Sequence, residues 1–407
     1  MLPTNFAGKI PLIAFYFSIL IICGRFLLDR FGSNIINIAY GTIIILSLFS
    51  VSVLFKGSFV FNNKGIKMIL YLVIVLNTFT FIHILLNKSD IYLYEYLRVM
   101  MLFSIYFLIS QVLFISNDLK NHFEKVLYVY FCFQFLLVAI GIFNIIVGNY
   151  FTISEGEKPR VDSTFGHPNH YGQYLVILIS FIYVVIKQIK YKQLLIILSI
   201  LSLIVYSQIF NFGAILYIAV FAFFMYVQKQ NLRLILLRLI LFVGLGVGIF
   251  YFLLKISDQF AARIEVLYQT NLIEIDKNYP TNSFQWRIFM WQYALENVED
   301  PFLGNGIGSS TYFFKFRTHS TNFAVLDLHN EFLRIYFEYG ICGLMVLFLF
   351  LRNIYLRISH ESKAVLTGFL VSCATSNYFR ATDMMIHIFL IISFIEYKNK
   401  KLQQVSS

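Results

Sequence analysis

The sequence predicts an all-α, polytopic integral membrane protein of about 12 transmembrane helices, with a long extracytoplasmic loop containing interfacial helices. Three observations carry that expectation. Hydrophobic residues fill 59% of the 407 positions and charged residues only 13%, whereas soluble domains carry about 25% charged residues. The aromatic load, 46 Phe and 27 Tyr, exceeds what a soluble core of this length needs. The apolar residues are also gathered into runs near the roughly 20 residues that cross a bilayer. These runs lack the alternation of barrel strands, so helices are expected.

The runs fall at roughly 11–28, 35–55, 66–87, 91–115, 125–147, 172–187, 193–207, 211–228, 232–254, 332–351, 364–379 and 384–397. The first follows MLPTNFAGKI and reaches Leu28 with no small-residue cleavage site after it, so it reads as a retained span rather than a removed signal peptide. Lys and Arg orient the set, because short cytoplasmic loops are enriched in them. With the N-terminus inside, one side holds Lys9, Lys56, Lys64, Lys67, Lys120, Lys125, Lys187, Lys190, Lys192, Lys229, Arg233, Arg238, Arg352, Arg357, Lys363, Lys398, Lys400 and Lys401, which is 18. The other side's short loops hold Arg25, Arg30, Lys88, Lys158, Arg160 and Arg380, which is 6. The asymmetry predicts an even number of spans with both termini cytoplasmic. The net charge of +11 is spread thinly between apolar runs, so loop orientation accounts for it and no nucleic-acid partner is expected. Cys23, Cys132, Cys342 and Cys373 share no close spacing; packing explains them better than a zinc site or a disulfide framework.

The chain therefore reads as a single polytopic domain, 1–407, with two notable extracytoplasmic segments: 148–171, and the long loop 255–331 between the ninth and tenth helices. On that side ATP and nucleotide sugars are absent, so any chemistry there must draw on substrates already activated and carried by lipid.

In the long loop, Phe284, Ile288, Trp291 and Leu295 recur at helical spacing, and both tryptophans, Trp286 and Trp291, lie in the same stretch. A helix along the membrane interface is expected, ending near Asn297 with Asp300-Pro301 as breaker. Arg287 on that helix reads either as a snorkelling side chain or as a phosphate clamp at headgroup depth. GNGIG at 304–308 lacks the flanking strand and the Lys-Ser/Thr of a nucleotide loop, so a flexible turn at the membrane surface is the better reading. In GHPNHYG at 166–172, Pro168 biases His167 away from helix, and a turn capped by Asn169 that starts the sixth helix is preferred over a metal site. DLHNEFLRIYFEYGICG at 327–343 crowds His329 with Asp327, Glu331, Arg334 and Glu338 at the head of an apolar run. The spacing of Glu331, Arg334 and Glu338 allows an intrahelical charge ladder. Ionisable groups in or near lipid are costly, however, and normally mark a substrate path, and a histidine can accept a proton near neutral pH.

Three pieces of this sequence together resemble the O-antigen ligase/polymerase family of bacterial membrane glycosyltransferases. They are Arg160 followed by Phe165-Gly166-His167-Pro168-Asn169; Trp286-Arg287 with Trp291 leading into Pro301-Phe302-Leu303-Gly304-Asn305-Gly306-Ile307-Gly308; and His329-Asn330 with Glu338, Gly340 and Gly343. The likeness covers roughly 160–345. It departs where many members carry a Ser-Arg pair after the seventh helix, since Asn211-Phe212 stands there.

The resemblance implies transfer of a glycan from undecaprenyl pyrophosphate to an acceptor at the outer face of the bacterial plasma (inner) membrane, with the active site facing the periplasm or exterior. The preferred reading is a polymerase of lipid-linked oligosaccharide repeat units (O-antigen, capsule or related polysaccharide). The alternatives are a ligase that passes glycan to lipid A-core and, in another class, a lipid-linked oligosaccharide flippase. Transporters favour internal repeats and mid-membrane charge; no convincing repeat relates the halves, and Arg98, the clearest mid-span charge, can pair with Glu95. On the enzyme reading His329 is the catalytic residue, Arg160 and Arg287 bind pyrophosphate, and Asn169, Asn330 and Glu338 support them. The scheme is metal-independent and inverting, with no cofactor, because fixed cations can stabilise the leaving group and no aspartate pair suits a metal. Expected partners are the undecaprenyl-pyrophosphate-linked donor and acceptor, membrane lipids and a polysaccharide chain-length regulator.

Overall fold

The computed structural model describes residues 117–148, 168–186, 191–209, 211–227, 283–306, 308–310, 328–376 and 382–406, with scattered positions between 234 and 265. Among them all regular structure is helical: α1 (Asn117–Val147), α2 (Pro168–Val185), α3 (Lys192–Ser207), α4 (Phe212–Val227), α5 (Ser283–Glu296), α6 (Glu331–Tyr355), α7 (His360–Cys373) and α8 (Thr382–Ser406). The first four expected spans, the segment 149–167 with Arg160 and His167, and most of 228–282 lie outside the described residues.

The helices sit where the apolar runs placed them, with shifts that have local causes. Proline is favoured at the first helical position, and α2 begins at Pro168, so Asn169 and His170 lie inside the first turn rather than capping it. The helix expected at 364–379 begins earlier, because the Ser359 side chain accepts from the Ser362 amide and caps it, and ends earlier at Cys373. Charged Glu361 and Lys363 in its first turns do not register in a hydropathy pattern.

Among the described residues, two segments, Leu127–Val147 and Glu331–Tyr355, are long and apolar enough to cross a membrane, and Lys192–Ser207, Phe212–Val227 and His387–Glu396 are shorter apolar helices. Large apolar side chains stand exposed in stripes, among them Leu136, Phe143 and Ile146 on α1 and Leu194, Ile197 and Ile200 on α3. A water-soluble surface rarely shows such contiguous patches; a lipid environment covers them.

At the centre lies α2, with most of its length buried, packed against α3, α4, α7 and α8. The closest pair is α4 with α7. Small residues let helix backbones approach in a membrane, and a Cβ at Gly368 of α7 would come within 3.0 Å of the Tyr217 carbonyl of α4. Hydrogen bonds fasten both ends of the bundle. At one rim, the Asn211 side chain accepts from the Gly213 amide at the head of α4 and donates to the Asn169 carbonyl of α2 at 2.7 Å. At the opposite rim, Glu396 of α8 accepts from the Ser359 amide and the Ser362 hydroxyl, Asn399 donates to Glu361, and His360 lies 2.8 Å from the Phe224 carbonyl of α4. Lys363 sits over the Tyr355 ring at the same rim, the side to which the Lys/Arg pattern assigns the cytoplasm.

Candidate active site

The head of α6 lies at the Asn211 rim and is organised by an exchange of backbone hydrogen bonds. Gly340 has φ 63 and ψ −163 inside α6, a conformation that breaks the helical ladder. In a continuous helix the amides of Ile341 and Cys342 would reach the carbonyls of Phe337 and Glu338. They donate instead to Pro301 and Phe302, at 2.9 and 3.2 Å. The carbonyls they leave accept from Asn305 and Gly306, at 2.8 and 3.0 Å. Four bonds between loop and helix thus replace two within the helix. The close approach demands glycine on both sides. A Cβ at Gly304 would lie 2.5 Å from the Glu338 carbonyl carbon, and one at Gly340 would collide with the Phe302 carbonyl. Residues 304–306 of the 304–308 segment, expected as a flexible surface turn, are therefore pinned into the break of α6.

That loop is also closed on itself. Asp300 Oδ1 accepts from the amides of Phe302 and Leu303, Asn305 donates its side-chain amide to the Asn297 carbonyl, and the Glu299 amide donates to Asn305 Oδ1. Asn297 follows the end of α5, as the breaker residues predicted. Gly340→Ala and Gly304→Ala are each expected to lower stability by roughly 2–4 kcal/mol, from about 1 kcal/mol of left-handed strain plus the overpacking cost. Gly244, with nothing within 4 Å of its would-be Cβ, is the control: Gly244→Ala should leave the melting temperature unchanged or raised.

Beneath the loop lies a buried charge cluster. Arg334 pairs through Nε and Nη2 with Glu331 and through Nη1 with Glu338, the latter at 2.9 Å. The second Glu338 oxygen accepts from Ser310 Oγ at 2.5 Å. Exposure is 0% for Glu331, 5% for Arg334 and 1% for Glu338. The spacing read as a ladder is indeed an intrahelical one, but it is sealed from solvent and linked to the loop. Arg334, the member common to both spacings in the sequence, is the hub, whereas Ser310 was not singled out. The i, i+3, i+4 spacing held the signal for Arg334, and nothing in the sequence marked Ser310.

His329 sits immediately before this cluster. It is the one non-glycine residue with positive φ among the described residues, at 49°. A non-glycine side chain in that region is uncommon and costs energy, and such outliers gather at functional sites. Neighbours on both sides hold it. Asn330 is the N-cap of α6, extended at φ −149, and its side chain accepts from the Leu333 amide at 3.1 Å. The Leu328 carbonyl accepts from Trp291 Nε1 of α5 at 2.7 Å. Leu328 also joins Met290, Ala294 and Phe337 in a small core between α5 and α6.

This core defines the packed face of α5. It runs through Met290, Trp291 and Ala294, whereas Leu295 of the expected apolar stripe is 59% exposed. Arg287, half-buried, lies one turn before Trp291, about 6 Å along the axis, and shares the Met290–Ala294 face. The structure thus brings Arg287, His329, Asn330 and Glu338 into one α5–α6 unit. Asn169 stands apart at the head of α2, where its carbonyl anchors Asn211. Arg160 lies outside the described residues. Asn211, noted as standing where many family members carry a Ser-Arg pair, ties two helix heads together.

A family model matches the part of the chain that holds this geometry. Residues 194–348 match the family model Wzy_C, O-antigen ligase. That stretch of the chain is similar to the O-antigen ligase family. The O-antigen ligase match runs from α3 into α6 and takes in α5, the spliced loop, His329 and the charge cluster; Arg160 and Asn169 precede it. No curated protein matches the chain.

Proposed function

We propose that the protein polymerises undecaprenyl-pyrophosphate-linked oligosaccharide repeat units of a surface polysaccharide, O-antigen or capsule, at the outer face of the bacterial inner membrane. It does so within a bundle of about 12 spans whose termini are both cytoplasmic. The observation that carries the reading is His329, held in a left-handed conformation between an N-cap and a carbonyl bound by Trp291, which lies one helical turn from Arg287 on α5.

In the proposed step an acceptor hydroxyl attacks the anomeric carbon of the donor sugar. The bond from that carbon to the pyrophosphate oxygen breaks, and its electron pair stays with the pyrophosphate. The hydroxyl proton passes to the His329 imidazole, a general-base contribution of about 10²–10⁴ in rate. Arg287 and Arg160 stabilise the charge that develops on the leaving group, where scarce water strengthens fixed cations. In-line attack inverts the anomeric centre. Asn330 fixes the backbone that presents the imidazole, Glu338 holds Arg334, and Asn169 anchors the rim. A chain-length regulator is the proposed protein partner.

The description of the matched family as O-antigen ligase supports a second reading, transfer of finished glycan to lipid A-core. The products separate the two. In a strain lacking the gene, single repeat units remaining on the acceptor are expected for a polymerase, and a bare acceptor is the ligase result. Complementation with Arg287→Ala or Arg160→Ala should fail to restore the high-molecular-weight ladder. A normal ladder from both variants at normal protein levels overturns the assignment.

A further inference from the structure

Away from the α5–α6 unit, the bundle interior holds a second polar group that the proposed transfer does not use. Tyr130 and Gln134 of α1 are one turn apart on one face, and both are fully buried. Tyr130 Oη lies 3.2 Å from Nδ1 of His387 on α8, which is also fully buried. The Tyr174 ring of α2 lies against the same imidazole, centroid to centroid 3.9 Å. Two contacts set the register of α1 on α2: Tyr171 Oη donates to the Leu137 carbonyl at 3.1 Å, and the Tyr130 ring meets Phe181 at 5.9 Å. The helices are therefore antiparallel, and one turn back from Leu137 on α1 is one turn forward from Tyr171 on α2. Gln134 stands level with Tyr174 and hence with His387.

The Gln134 carboxamide, 0% exposed, has no hydrogen-bond partner for either Nε2 or Oε1 among the described residues. The same holds for Gln173, next to Tyr174 in the chain. An unsatisfied amide in an apolar interior costs roughly 2–7 kcal/mol, and buried polar groups are nearly always paired, with water where protein fails. An imidazole inside a membrane bundle is by default a functional feature. A hydroxyl can donate to the Gln134 carboxamide oxygen or accept from its nitrogen. The groups are amides, phenols and one imidazole, which can donate to or accept from a hydroxyl.

We infer that Gln134, Tyr174 and His387 line an internal site that takes a hydroxyl group, from a bound water or from a lipid or glycan hydroxyl reaching between α1, α2 and α8. The site is independent of the transfer reaction, and its test reads occupancy rather than activity. Full-length protein in lipid nanodiscs is exposed to hydroxyl radicals generated in situ, which label side chains beside bound water. Water in the site predicts oxidation of Tyr130 and Tyr174 well above the equally buried Phe350, and loss of that excess in Gln134→Met. A lipid or glycan hydroxyl predicts protected tyrosines and a species co-purifying with the parent that mass spectrometry finds missing from Gln134→Met. Should the methionine variant fail to fold, the shorter Gln134→Asn serves in both arms. Tyrosines as unlabelled as Phe350, with no species lost on substitution, overturn the inference. A higher melting temperature for Gln134→Met does so too, because it marks an amide that was never satisfied.

Discussion

Replacing His329 with glycine is expected to abolish glycan transfer while leaving the fold intact. The backbone at 329 is left-handed, φ 49, a region that glycine enters freely and that costs other residues about 1–2 kcal/mol. Glycine relieves that cost but also loosens the unfolded chain by a comparable amount, so net stability should stay within about 1 kcal/mol of the parent. Transfer should fall about 10²–10⁴-fold if the imidazole is the general base. His329→Ala keeps the strain and should lose as much activity. Purified variants are compared by initial rate with a lipid-pyrophosphate oligosaccharide and by melting temperature in detergent. Near-parental transfer by the glycine variant would remove His329 from the chemistry and leave it only a structural role.

Arg334→Met is expected to have the largest effect on stability. Its guanidinium is the partner of both Glu331 and Glu338, which are almost wholly buried. Removing one member of a buried ion network strands the others and costs about 3–5 kcal/mol, whereas replacing the whole network by neutral groups is often tolerated. The combined variant Arg334→Met, Glu331→Gln, Glu338→Gln should therefore recover most of what the single change loses. Trp286 and Trp291, the two tryptophans of the chain, report unfolding of α5 by fluorescence. A single variant as stable as the parent would mean that the carboxylates are not held as charges in this cluster.

Much of the framework was readable because hydropathy marks a span directly. The runs at 125–147, 193–207 and 211–228 became α1, α3 and α4 within a few residues, apart from the polar start of α1 at Asn117. The end of α5 was equally legible, since Asn297 and Asp300-Pro301 stop a helix through local chemistry. What escaped depends on contacts between distant segments. The packed face of α5 is turned toward Met290 and Ala294 because Leu328 and Phe337 arrive from α6, and no periodicity within α5 could report that. The break at Gly340 was invisible for the same reason. Its glycine matched a family motif, but the partner that fills the break comes from residues 301–306. His329 was singled out by residue type and position, whereas its left-handed φ, between a Leu328 carbonyl bound by Trp291 and the Asn330 cap, was not legible.

The exchange of bonds at Gly340 runs through main-chain atoms on both sides, which has a consequence for how such a joint tolerates mutational drift. Peptide groups are common to nearly every amino acid, so the identities of Phe302, Leu303 and Cys342 can wander without unmaking the joint, and Gly304, Gly306 and Gly340 are left as its fixed letters. What a sequence must keep to rebuild this joint is a pair of glycines one residue apart and a third some thirty-odd positions further on.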